Sequence, residues 1–205
     1  MAGSDGVDSR RTDTRERALA VALGLFARQG YTVTSLREIA EQLGVTKAAL
    51  YFHFRTKEDI LTAILRDHLD GIAALVAAAA SERPLSPAGQ ERLLRRFAAH
   101  QEQWGPGLVL VIRQNLTEIQ GLPIGAEVTT VMQSLVDALA PADAGPCDHL
   151  RIRTALATFH LAAVTGAGEG DEVGMREAAL DLALEILRGG GREPAGRLRR
   201  ARPRA

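Results

Sequence analysis

Residues 34–54 read TSLREIAEQLGVTKAALYFHF, and the spacing in this stretch decides the fold. Thr34 or Ser35 caps a short helix, and Ser35 with Glu38 three places on forms a capping box. Ile39, Ala40 and Leu43 give that helix its inner face, Gly44 ends it, and Thr46 caps a second helix that runs to about Phe52 with Leu50 turned inward. A small residue at Ala40 lets two helices approach closely, Gly44 permits the positive φ of a tight turn, and Val45 and Leu50 plug the space between the helices. These offsets are those of a helix-turn-helix. The outward side chains of the second helix are then Lys47, Ala49, Tyr51, Phe52 and His53. Such a set suits a DNA surface: lysine brings charge or a bond to guanine, alanine lets the helix sit deep in the major groove, and Tyr51 and His53 donate to phosphate oxygens.

Working outward, Thr12, Asp13 and Thr14 offer cap oxygens ahead of Ala18, Val21, Ala22, Leu25 and Phe26, which recur at helical spacing until Gly30. Residues 12–56 therefore form a three-helix DNA-binding module, preceded by a Gly, Ser and Asp rich stretch, 1–11, that reads as a disordered arm. From Lys57 a long amphipathic helix carries Ile60, Leu61, Ile64, Leu65, Leu69 and Ile72 on one stripe and ends at Ser81 to Pro87. Further helices are expected from Pro87 to Trp104, from Leu108 to Gln120 beyond a break at Gly105-Pro106-Gly107, from Pro123 to about Leu139, from about Cys147 to Thr165, and from Asp171 to Arg188. The fold class is all-α, about nine helices in all. Residues 57–190 are a helical regulatory and dimerisation domain, and 191–205 a disordered basic tail.

The formal net charge of zero hides a segregation. Arg10 to Lys57 holds nine basic against four acidic side chains, residues 58–191 ten against eighteen, and Arg192 to Ala205 six arginines against one glutamate. A basic module on an acidic body is the electrostatic footprint of a nucleic-acid binder. The only two lysines, Lys47 and Lys57, both fall in or beside the module.

Gly30-Tyr31, Thr34-Ser35, Arg37, Ile39-Ala40, Gly44-Val45, Leu50-Tyr51, His53-Phe54 and Lys57 together resemble the N-terminal signature of the TetR family of repressors over about residues 12–65. The remaining two thirds match only in helical layout. By matched position, the resemblance implies that Thr34 or Ser35 binds a phosphate at a helix N-terminus and that Arg37 reaches groove or backbone. Thr46 caps the recognition helix, Lys47 and Ala49 face bases, Tyr51, Phe52 and His53 contact the DNA backbone, and Lys57 lies near a phosphate. It implies a homodimer on palindromic double-stranded operator DNA, repressing until a small-molecule effector releases it. An activator or architectural protein of the same fold without a ligand is the alternative.

The last helix is apolar over more than half its circumference, and the preceding one has similar breadth. A partner is expected to cover what one protomer cannot, with Ile152, Leu156, Phe159, Ala179, Leu182, Ala183 and Ile186 at the dimer interface. The candidate ligand wall is Phe97, His100, Trp104, Val111, Asn115, Val128, Met132 and Phe159, mostly apolar with a few polar groups.

No paired nucleophile and base, metal spacing or phosphate loop occurs, so neither an enzyme nor a cofactor is expected. The single Cys147 and the absence of a charged leader or a run of about 20 apolar residues point to a cytoplasmic chain that does not engage a membrane.

Overall fold

The structure, a computed structural model, describes residues 5–169 and 171–189, and side chains over 14–165 and 171–189. Residues 1–4 of the expected arm and the basic tail from 191 lie outside the described residues. The helices are α1 (Asp5–Gln29), α2 (Leu36–Leu43), α3 (Lys47–His53), α4 (Lys57–Ala79), α5 (Pro87–Gln114), α6 (Leu116–Gly121), α7 (Pro123–Leu139), α8 (Pro146–Glu169) and α9 (Glu172–Arg188), with a single tight turn of helix at Ala80–Glu82. All are α-helical, as expected, but α1 begins seven residues earlier than the cap at Thr12 implied. No proline stands between Asp5 and Thr12, and each residue added to an existing helix gains a backbone bond without a new nucleation cost. Gly6, the one weak helix former of the first turn, costs only about 1 kcal/mol.

Caps and glycines terminate the N-terminal helices where the sequence placed them. Ser35 caps α2, and Thr46 caps α3 by accepting the Ala49 N–H at 3.2 Å. Gly44 takes φ 74°, its N–H bonds to the Glu41 carbonyl at 3.1 Å, and the Val45 N–H closes on Ala40 at 3.0 Å. That crossed pair of bonds satisfies the last carbonyls of α2 and turns the chain into α3 at once.

Phe26, Ile39, Leu50, Ile60, Leu61 and Ile64 are fully buried in a first core. It does not stop at the expected boundary at Lys57: α4 belongs to it through Leu65 and Leu69, and Leu108, Val111, Ile119 and Ile124 close it from the body. A second core gathers Ile72, Leu94, Phe97, Leu135, Leu139, Ala155 and Ala183. Helix α4 runs through both, about 35 Å of one rigid rod at the standard rise. Arg66 on α4 pairs with Glu127 on α7 at 2.7 Å, and buried Thr158 on α8 donates to the Ala179 carbonyl of α9 at 3.0 Å.

The expected break after Trp104 narrows to one residue, Gly105 (φ 64°, ψ −179°), beyond which helical backbone resumes and runs to Gln114. Glycine alone accepts that conformation readily, and Pro106, whose missing N–H costs nothing at the start of a helical segment, restarts the helix beyond it. The expected helix from Leu108 to Gln120 is in turn split at Asn115 (φ −124°, ψ 30°), whose N–H and side-chain Nδ2 both bond to the Val111 carbonyl, at 3.1 and 2.8 Å.

Candidate nucleic-acid interface and body cavity

Helix α3 carries one inward anchor and an outward face. Leu50 is fully buried and Phe54, just beyond the helix, is buried beside it, so the orientation of the helix is held by packing. Lys47, Ala49, Tyr51 and Phe52 are exposed and His53 is half-buried. Tyr51 and Phe52 retain 41% and 66% of their surface, a large apolar exposure for two adjacent aromatics. Lys47 Nζ sits 5.2 Å from the Tyr51 ring centre and Phe52 meets His53 edge-to-face at 5.3 Å, which orders the face before any ligand arrives. On α2, Arg37 is exposed and pairs with Glu41 at 2.7 Å.

Of the three predicted phosphate contacts, Thr34 and Lys57 are turned into the fold and Ser35 stays at the surface. Thr34 is 2% exposed; its hydroxyl donates to the Gly30 carbonyl at 2.8 Å and accepts from Gln29, so it locks the end of α1 and faces no partner outside the chain. Ser35 stays at the surface as the cap, with its N–H and hydroxyl both on the Glu38 carboxylate at 2.7 and 2.8 Å. The Ser35 backbone and side chain, then Gln29, hold that carboxyl below its usual range. Lys57 is also turned to the fold: Nζ donates to the carbonyls of Tyr31, Thr32 and Thr34 at 2.7, 2.7 and 3.2 Å and lies 4.5 Å from the Tyr31 ring centre. Its three N–H donors are all used, leaving none for a phosphate.

In the body, a cavity of about 90 Å³, partly open to solvent, lies between α4, α5, α7 and α8. Of the predicted wall, Phe97, Trp104, Val128 and Met132 line it. Val111 does not, being packed in the first core; Asn115 is turned back on its own helix; and His100 stacks behind the wall on His68, with Nε2 at 3.0 Å from the His68 carbonyl. Phe159 packs edge-to-face on Phe97 at 5.5 Å and faces a second cavity on the other side of the Gly105 kink. Sequence reasoning missed His68, Leu108 and His160 as lining residues, since only the packing of α4, α5 and α8 brings them together.

The structure divides the expected dimer set. Ile152, Leu156, Phe159, Ala179 and Ala183 are buried inside the protomer, whereas Leu182 is 49% exposed and Ile186 half-buried. The uncovered apolar surface keeps Leu182 on α9 from that set and adds Leu150 and Leu161 on α8, at 66% and 65% exposure. Among the described residues no helix is long and apolar enough to cross a membrane.

A capped, glycine-hinged helix pair presenting basic and aromatic side chains, carried on a helical body with a cavity, defines a helix-turn-helix unit. Residues 18–64 match the model of bacterial regulatory proteins of the tetR family. Over 52 residues the chain is 50% identical to the HTH-type transcriptional regulator AcrR of Shigella flexneri, a match covering 25% of this chain and 24% of AcrR. The chain thus matches about a quarter of the length of that curated relative. The TetR family transcriptional regulator PfmR of Thermus thermophilus superposes with TM-score 0.61 at 25% identity, covering 86% of this chain and all of PfmR. LfrR of Mycobacterium smegmatis, solved in complex with proflavine, superposes with TM-score 0.59 at 18% identity over 88% of this chain and 97% of LfrR. The N-terminal module, residues 18–64, is thus similar to the DNA-binding domain of the tetR family.

Proposed function

We propose that this chain is a repressor that binds a palindromic operator as a homodimer and leaves it when a small hydrophobic molecule enters the body cavity. The exposed face of α3 carries the reading: Lys47, Tyr51 and Phe52 stand outward on a helix whose back is anchored by fully buried Leu50. Two such helices must sit about 34 Å apart to enter successive major grooves, which requires a second copy. The exposed stripe of α8 and α9 is the surface on which that copy docks, burying Leu150, Leu161 and Leu182.

Control follows from α4. One end of this helix is packed in the core of the DNA-binding module through Ile60 and Ile64, and its other half lines the cavity with Leu65, Leu69 and Ile72. A ligand that displaces the cavity wall tilts the rod and changes the separation of the two recognition helices, so its differential affinity for the two arrangements is the regulatory free energy. That LfrR is solved with proflavine supports a small-molecule role for the corresponding body.

Lys47 is the base-reading group of this proposal. Lys47→Ala is expected to weaken binding to the selected operator by about 1–2 kcal/mol while leaving affinity for random duplex within about twofold. Gel-shift titration of both duplexes checks it. Equal loss on both would make Lys47 a backbone contact, and no loss on either would remove α3 as the reading element.

A further inference from the structure

The polar chemistry inside the body cavity narrows what it can hold. His68 is 6% exposed, lines the cavity, and its Nδ1 is the one buried side-chain nitrogen or oxygen among the described residues without a hydrogen-bond partner. The ring is clamped: it stacks on His100 at 4.9 Å with 16° between planes and meets Trp104 edge-on at 5.6 Å. The His68 carbonyl can only accept, so His100 Nε2 carries the proton of their 3.0 Å bond. Gly71, one turn along α4, has no Cβ to strike the His100 ring, which a methyl there would meet at 2.2 Å. Leu69, Phe97, Leu108 and Met132 supply apolar wall around this ring.

We propose that the cavity takes an uncharged hydrophobic molecule bearing one hydroxyl or carbonyl oxygen that bonds to the His68 imidazole, and that it rejects the corresponding carboxylate. The ligand class deepens the ligand-control reading above and takes its regulatory meaning from it. Among the described residues no Asp, Glu, Lys or Arg lines the cavity, so an anion entering it would lose its hydration and meet no counter-charge. His68 does not supply one, because burial first, then His100 and His160, push its pKa down to about 3 and keep the ring neutral. The adjoining cavity, which shares Gln101, Gly105 and Val109 with the first, is lined by Glu102, Glu172 and Glu177 against the lone Arg176, a field that repels anions further. A plain hydrocarbon fits the walls but leaves the buried nitrogen unpaired, whereas a hydroxyl can donate to it or accept from it, whichever tautomer is present.

Trp104 is the only tryptophan in the chain and lines the cavity, so its fluorescence reports occupancy directly. With the full-length protein at neutral pH, decan-1-ol is expected to change Trp104 emission and raise the melting temperature, and decanoate to bind about 100-fold more weakly or not at all. His68→Phe should weaken decan-1-ol about tenfold, and His68→Gln, which restores a hydrogen-bonding group, should recover most of that loss. Decanoate binding as tightly as the alcohol, no Trp104 response to either probe, or equal weakening by both variants would overturn the proposal. Binding with the expected selectivity but no release of operator DNA would instead uphold the ligand class and sink ligand control.

Discussion

Leu161→Glu is expected to leave the helical fold of the protomer intact, convert the protein in solution from dimer to a 21.9 kDa monomer, and weaken operator binding by about 10²–10⁴-fold. Leu161 is 65% exposed within the protomer, so a carboxylate there clashes with nothing in its own chain. Its neighbours explain why the effect is large. Leu150, Ala157 and Leu161 stand at i, i+7 and i+11 on α8, one continuous stripe, and a shallow groove beside it is walled by Ala162, Met175, Ala178 and Leu182. Covering that stripe with a second copy buries its apolar surface, and a glutamate at the centre would place an unpaired charge in the contact. The loss on DNA follows because a monomer engages one half-site and forfeits the effective concentration that links it to the next. Sedimentation and gel shift together check the result. A Leu161→Glu protein that still sediments as a dimer and still binds its operator would place the interface elsewhere. Ile152→Ala is the contrasting change: 3% exposed, Ile152 belongs to the protomer's own core, and its loss is expected to lower protomer stability by about 2–3 kcal/mol.

That contrast also marks how far the sequence can be read. Within the DNA-binding module the deciding signals are local: a cap hydroxyl, a carboxylate three places on, a glycine with positive φ and an anchor six residues later act over a few residues of chain, so Ser35, Glu38, Gly44 and Leu50 were legible and their helices fell where expected. In α8 and α9 the apolar arc exceeds half the circumference, and periodicity alone does not divide it between intramolecular neighbours and a partner. Ile152, Leu156, Phe159, Ala179 and Ala183 went to the inside, leaving Leu161, equally apolar in sequence, outside. The same ambiguity moved Val111 from the predicted cavity wall to the first core and hid His68, whose importance lies in what surrounds it. The break at Gly105-Pro106-Gly107 was legible because each residue disfavours a helix interior; the structure uses glycine for the one non-helical residue and proline for the first turn after it. Thr34 and Ser35 are both good caps, and only the packing of Thr34 onto Gly30 separates them.

Lys57 is where a family resemblance and the geometry of this chain lead to opposite experiments, and its replacement is the second large effect. A lysine that holds a phosphate contributes to DNA affinity through charge; removing it lowers the salt slope of binding by about one, and arginine substitutes for it well. The bonds of Lys57 predict otherwise. Its ammonium converges on the carbonyls of Tyr31, Thr32 and Thr34, the turn that joins α1 to α2, and packs over the Tyr31 ring, itself edge-on to Phe26 at 5.0 Å. Lys57→Ala leaves these carbonyls without their charged donor, and those of Tyr31 and Thr34 are partly shielded from replacement water. The expected cost is about 3 kcal/mol of stability in the DNA-binding module, since hydrogen bonds to a charged group are each worth about 1.5–3 kcal/mol before water repairs the exposed one. Lys57→Arg keeps the charge but offers a planar fork where three acceptors converge on a point, so it too should destabilise. Chemical denaturation of the three proteins and the salt dependence of operator binding separate the two roles. Lowered stability in both variants with an unchanged salt slope makes Lys57 the clamp that positions α2 and, through it, the recognition helix; unchanged stability, a slope reduced by one in the alanine variant and recovery by arginine would return it to the phosphate.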